Sequence, residues 1–463
     1  MASEINRRIV SAISLFTSMQ AVQIVCSVLR IKIITLWLGQ AGVALFGIYQ
    51  TVLELIGTIT QLGIRTSAVK EIAAHPQSGI VVSVRRFGVW LGILGAVVAV
   101  ALCVPLSRFS FGTSSAWWQF CLLGVALFVQ SLTGAEQAVS QGLGQLKSLA
   151  RAGLIGAVAG LVLSIPIYRL LGLYSVVPSL IVYAVGLWVP LRLMRPRTAT
   201  VPVEVSRTLR QGAGFVRVGA YITLAAILAY AVNYLMLVYI RNSQDSLNAV
   251  AHYQAGYTML WRYVGMIYVS VSYEFYPRLS RVGHSPMRIS AMVNHQSLFV
   301  LLLMLPCAAA AIAAAPLLLK LLYSDEFLPA IPYFVVGMAA MMLRPASLSI
   351  SYTFLATGRG RTYCISEITS SLINLAFNVI GYHFGGLFGL GVALVAWMIV
   401  DLGIMMAFYG RAGMKLRPQV VWLTAIFTAV VFGCALAELG GYWWIPAAVA
   451  LLSFPFVLRF IRR

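Results

Sequence analysis

Apolar residues fill this chain in stretches of about 20, one after another from end to end. Short segments rich in Arg, Lys, Gly and Pro separate them. About 20 apolar residues is the length a helix needs to cross a bilayer's hydrocarbon core. The pattern predicts helices over 9–37, 42–64, 87–106, 117–141, 152–171, 174–194, 212–240, 249–276, 296–317, 330–357, 363–383, 387–409, 419–438 and 441–460. The expected fold is therefore all-α and polytopic, with 14 transmembrane helices. Arg7 and Arg8 precede the first stretch, which is too long for a signal-peptide core and has no small-residue cleavage site. It reads as a retained span.

Charges were not used to place these helices, so they test the placement. With a cytoplasmic N-terminus, 24 of the 33 Lys and Arg residues fall in cytoplasmic segments, such as Arg85 and Arg86, Lys147 and Arg151, Arg359 and Arg361, and Arg411, Lys415 and Arg417. Four (Arg108, Arg169, Arg241 and Lys320) fall on the outer side. Such a bias is the usual mark of orientation in the membrane and places both termini inside. It also accounts for most of the net charge of +21 without nucleic acid.

Composition narrows the function. The chain is 60% hydrophobic and 10% charged, with a mean hydropathy of +0.90. Soluble domains carry about 25% charged residues. A soluble enzyme, a disordered chain and a nucleic-acid-binding module are excluded. No loop is long enough to house a catalytic domain, which argues against a membrane-bound polymerase or glycosyltransferase. The six cysteines lie within apolar runs without metal-ligand spacing, and the five histidines show none either. No metal and no cofactor is expected.

The chain also repeats itself. Gly142-Leu-Gly-Gln-Leu-Lys147 is followed by Gly172-Leu-Tyr, and Ala356-Thr-Gly-Arg-Gly-Arg361 is followed by Gly385-Gly-Leu, at almost the same spacing. Val43-Ala-Leu-Phe46 and Val250-Ala-His-Tyr253 match in the same way. The expected organisation is a six-helix bundle in 1–200, a second in 201–412 in the same orientation, and a two-helix hairpin in 413–463. Repeats of this kind mark transporters, with the substrate site between them.

Five cations remain inside the predicted spans: Arg30, Lys32, Arg217, Arg262 and Arg344. Placing one at a helix centre costs at least about 2.5 kcal/mol, so such residues face water or a partner. Arg262 and Arg344 sit midway along their helices. Arg30 and Lys32 lie in the outer half of theirs. Arg217 is near an inner helix end, from which it can snorkel to the headgroups. Helical spacing groups Gln20, Gln23, Ser27 and Arg30 on one side of the first span, and Thr258, Arg262, Gly265 and Ser272 on one side of the eighth. Arg344, Ser347 and Ser351 share a side of the tenth, bent at Pro345. Glu367, Ser371, Asn374 and Asn378 form a stripe on the eleventh. Such stripes fit a hydrated interior, or ordinary hydrogen bonding between helices. The embedded acids Glu54, Glu136, Glu274, Glu367 and Asp401 are candidates for pairing with these cations, or for carrying a coupling proton or sodium ion.

Leu38-Gly-Gln-Ala-Gly42, Phe46-Gly-Ile-Tyr49 and Leu62-Gly-Ile-Arg-Thr-Ser-Ala-Val-Lys-Glu-Ile72 resemble the opening of Wzx-type polysaccharide flippases. The Ala356–Arg361 turn with Asn374 and Asn378 resembles their second-half pattern. These flippases share a superfamily with MATE multidrug exporters and the lipid II flippase. The resemblance implies two bundles around a central cavity, MATE-like. It also implies movement of an undecaprenyl-diphosphate-linked oligosaccharide (an O-antigen, capsule or exopolysaccharide unit) across the bacterial inner membrane, with a glycan polymerase as a potential partner. Arg30 precedes Gly39 as a cavity arginine does in the lipid II flippase pattern. A second arginine of that pattern is Ile24 here, which argues against lipid II. The first span lacks the acid of many MATE exporters, which argues against organic cations as cargo. Both remain alternatives.

Overall fold

The computed structural model describes the backbone of residues 2–61, 68–69, 72, 78–195, 205–244, 246–268, 271, 275, 278–279 and 285–461. It describes their side chains except 2–21, 78, 205–219, 222, 244 and 456–461. The described residues are helical apart from short turns, with no strand among them. The chain divides into two compact units, Met1–Tyr234 with Arg241–Leu247, and Leu235–Ile240 with Asn248–Arg463.

The first unit holds α1 (Ala2–Gln61), α2 (Ser78–Phe111), α3 (Trp117–Gly142), α4 (Leu146–Leu171), α5 (Val176–Leu193) and most of α6 (Val205–Gln244). α1 breaks at Gly39 (φ 62°, ψ −159°). α2 packs on α3 through Val84, Phe87, Leu91, Ala138 and Val139. The Ser131 hydroxyl, on α3, donates to the Gly88 carbonyl of α2 at 2.8 Å. α4 meets α5 at closer range. A Cβ on Gly186 would lie 2.7 Å from the Gly160 Cα, so only glycine lets these backbones approach.

The second unit holds α7 (Leu247–Tyr257), which runs on into a π-helical segment over Thr258–Val264. It continues with α8 (Pro286–Ala313), α9 (Ala315–Leu322), α10 (Ile331–Met341), α11 (Arg344–Ala356), α12 (Gly360–Arg411), α13 (Pro418–Leu439) and α14 (Trp444–Ile461). α13 packs on α10 and α8, and α14 on α8. Asn294 of α8 ties down the turn before α13: its amide donates to the Lys415 carbonyl at 3.2 Å and accepts from the Arg417 N–H at 2.7 Å.

Eight helical stretches among the described residues are long and apolar enough to cross a membrane, or nine if one bent pair is a single span. This is a multi-pass membrane protein. Its exposed apolar side chains agree: Leu170, Leu193, Leu451 and Trp422 are exposed, and so are the amphipathic aromatics Trp117, Tyr174, Trp443 and Trp444 at helix ends.

The bent pair is the span expected over 330–357. A short 3₁₀ turn and α10 (together Asp325–Met341) meet α11 at 55°. Pro345 is the cause. It has no N–H to give the Met341 carbonyl four residues back. The chain tightens there, with the Met342 and Leu343 N–H groups bonding to Ala339 and Ala340. The Tyr268 hydroxyl donates to the orphaned Met341 carbonyl at 2.6 Å.

The internal repeat reappears in backbone angles. Gly144 (φ 70°) and Gly358 (φ 73°) make the same turn. Gly172 (φ 54°, ψ −135°) and Gly386 (φ 53°, ψ −134°) make a second one, each 28 residues further on. The glycine that makes this second turn in the second half is therefore Gly386 rather than its neighbour Gly385.

Candidate functional site

In the first unit Arg30 is 5% exposed. Its Nε donates to the Tyr168 hydroxyl of α4 at 3.1 Å. Its guanidinium carbon lies 4.5 Å from the ring centre of Tyr183, on α5, and 4.7 Å from that of Phe46, on α1. One terminal nitrogen, Nη2, is buried without a hydrogen-bond partner. No carboxylate lies within ion-pair distance of Arg30 among the described residues. Aromatic faces support a desolvated cation by about 2 kcal/mol but leave its in-plane donors unspent. Gln23 and Ser27 are half-buried on the same helix, as is Lys32. The side chains of Gln20 and Arg217 lie outside the described residues, as do Ser272 and Glu274. Glu54 is half-buried and accepts from the Gln50 amide one turn away at 2.9 Å.

The same unit carries an ion pair at the end of α2 that the charge pattern assigns to the cytoplasm. Arg85 lies 3.0 Å from the buried carboxylate of Glu136, and Arg195 approaches it at 4.0 Å. Pairing with an arginine thus accounts for this embedded acid.

In the second unit the guanidinium of Arg344 lies over Trp261 at 4.7 Å and is half-buried. It starts α11, inside the bent span, and forms no ion pair within 4.0 Å among the described residues. Around it runs a ring of contacts. Asp401 of α12, 5% exposed, accepts from the hydroxyls of Ser347 (α11) and Ser370 (α12). The Trp397 indole N–H donates to Ser370 at 2.9 Å to its carbonyl and 3.0 Å to its hydroxyl. Trp397 in turn lies 6.1 Å from Trp261. Next to this ring the Ser351 hydroxyl donates to Glu367 at 2.9 Å, and Asn378 donates to Asn374 at 2.6 Å. Ser347, Ser351, Ser371 and Asn378 are buried. These members of the polar stripes are covered by protein, and Ser347, Ser351 and Asn378 are hydrogen-bonded.

Arg262 is exposed, whereas Thr258, expected on the same side, is 6% exposed. The expectation rested on α-helical periodicity. The sequence pattern also did not pick out Tyr168, Tyr183, Trp261, Trp397 or Tyr268. Aromatics read as generic core in an apolar chain. The one available signal was the four-residue step of Tyr253, Tyr257 and Trp261, whose rings follow one another at 5.8 and 6.3 Å.

A family model described as polysaccharide biosynthesis protein matches residues 42–332. The chain belongs to this family. No curated protein sequence matches it. Several solved structures share its fold. The lipid II flippase MurJ, in an inward closed conformation, has a TM-score of 0.67 at 13% identity, covering 97% of this chain and 100% of its own. An inward-facing multidrug-resistance MATE transporter of the MOP superfamily also has a TM-score of 0.67, at 16% identity, covering 84% and 95%. A MOP superfamily transporter from Pyrococcus furiosus, described by the reversed polarity of its binding pocket, has a TM-score of 0.61 at 14% identity, covering 89% and 94%. The fold of this family member is thus one used by membrane transporters.

Proposed function

We propose that the protein flips an undecaprenyl-diphosphate-linked oligosaccharide from the inner to the outer leaflet of the bacterial inner membrane. The cargo would be a repeat unit of an O-antigen, capsule or exopolysaccharide. The observation that carries this reading is that Arg30 and Arg344 sit on aromatic rings inside apolar spans with no carboxylate within 4.0 Å of either among the described residues. A diphosphate headgroup cannot shed its water into about 30 Å of hydrocarbon unaided. Guanidinium groups are permanently charged and match phosphate oxygens geometrically. Each can replace solvent around the headgroup while the prenyl tail stays in lipid.

Membership of a polysaccharide biosynthesis family supports a glycan as the cargo. Reading the helical stretches broken at Gly39, at Gly172 and at Gly386 as two spans each takes nine spans to twelve, and counting α7 with its π-helical continuation and α14 as one span each supports fourteen. These would be arranged as six in 1–200, six in 201–412 and a hairpin in 413–463, with both termini cytoplasmic. The repeated turns support alternating access by two like halves. Lys32, Arg217 and Arg262 would add to the cationic path, and Gln20, Gln23, Ser27, Asn374 and Asn378 would meet sugar hydroxyls. A proton or sodium ion carried by Glu54, Glu367 or Asp401 would drive the cycle, and the polymerase of the same glycan would take the product.

The test is a deletion strain. Lipid-linked repeat units should accumulate in it, shielded from a membrane-impermeant probe added outside. Wild-type protein should restore export, and Arg30→Ala or Arg344→Ala protein, present in the membrane at normal level, should not. Normal surface glycan in the deletion strain rules the reading out.

A further inference from the structure

We infer that Asp401 is a positioning residue for Arg344, holding that guanidinium in place from two directions at once. The inference rests on the reading of Arg344 as a diphosphate-binding group.

An ionisable side chain buried in an apolar helix is costly, and it persists where something depends on it. Asp401 is 5% exposed and forms no ion pair within 4.0 Å among the described residues. Its two oxygens instead accept from two serines, Ser347 on α11 and Ser370 on the part of α12 before its break at Gly386. Ser347 is three residues beyond Arg344, in the first turn of α11. Fixing Ser347 fixes where that half-helix begins and hence where the Arg344 stem leaves it. The other arm runs through Ser370, whose hydroxyl and carbonyl both take the Trp397 indole N–H. Trp397 backs Trp261 at an interplanar angle of 47°, and Trp261 carries the guanidinium. The two arms close into a ring: Asp401, Ser347, Arg344, Trp261, Trp397, Ser370, Asp401. Removing the carboxylate loosens both the root and the platform of Arg344. A guanidinium held over an indole keeps its in-plane N–H groups for a ligand, so the ring sets the direction in which phosphate is met.

The experiment measures binding of undecaprenyl diphosphate, without sugar, to the full-length protein in nanodiscs. It is run as a double-mutant cycle on Arg344→Ala and Asp401→Asn, with thermal unfolding followed in parallel. Asp401→Asn should weaken binding about tenfold in the wild-type background and by less than about twofold in the Arg344→Ala background, as coupled residues do. Ser347→Ala and Trp397→Phe, which each cut one arm, should give smaller losses that also vanish without Arg344. A merely structural role lowers the unfolding temperature but leaves the two effects multiplicative. Unchanged affinity in Asp401→Asn, or its full factor persisting in Arg344→Ala, overturns the inference while Arg344 keeps its role. Unchanged affinity in Arg344→Ala overturns the reading beneath it as well.

Discussion

Arg30 and Arg344 show how far a residue can be read from its own neighbourhood in the chain. A cation in an apolar run stands out at once, because its cost in lipid is known. Its partners do not: Tyr168 is 138 residues from Arg30 and reads as one aromatic among many. Periodicity reports only which side of its own helix a residue shares. The same limit left the stripe of Ser347 and Ser351 open between a hydrated interior and hydrogen bonding between helices; both are buried and donate to acids of α12. Three outcomes belong at this scale. Tyr168→Phe removes one hydrogen bond to Arg30 and should cost about 1 kcal/mol, read as a lowered unfolding temperature in detergent with export largely kept. Arg30→Lys retains charge but not the planar group that lies beside Phe46 and Tyr183, and should fail to restore export. Glu136→Ala removes the carboxylate from the Arg85 pair, whose side chains are 21% and 6% exposed. It should cost about 3 kcal/mol in the same unfolding measurement.

The elements were legible where sterics are local. Pro345 announced the bend between α10 and α11, and Gly144 and Gly358 announced matched turns, since only glycine takes their positive φ at no cost. The π-helical segment at Thr258–Val264 was not legible, because nothing in its composition separates it from an α-helix. Nor was the strap from Tyr268, whose partner is a carbonyl. Tyr268→Phe leaves the Met341 carbonyl without its donor and should destabilise the protein by about 1–3 kcal/mol. Thermal unfolding checks this, and no change would mean the bend holds without the strap. Close approach makes a sharper case at Gly389. A Cβ there would sit 2.0 Å from the Gly381 carbonyl oxygen, across the Gly386 turn. Gly389→Ala should therefore prevent folding or sharply reduce the yield of purified protein. Gly385→Ala, with nothing within 4 Å, should be tolerated.

At the scale of the molecule, the apolar stretches and the one-sided distribution of Lys and Arg made a multi-pass membrane protein readable from the chain alone. The family was readable from the glycine turns near its start. The cargo is a matter of chemistry rather than fold, since the same fold serves the lipid II flippase and multidrug transporters at 13% and 16% identity. In the proposed mechanism, arginines with no carboxylate within 4.0 Å among the described residues meet a diphosphate inside the membrane. The direct test is transport itself. Lipid-linked oligosaccharide extracted from the deletion strain is placed in proteoliposomes, and the fraction reaching the opposite leaflet is measured with an impermeant glycan-cleaving enzyme. Wild-type protein should move it across, and the Arg30→Ala/Arg344→Ala double variant, equally folded and equally inserted, should leave it at the protein-free level. Transport by that variant at the wild-type rate would contradict the account.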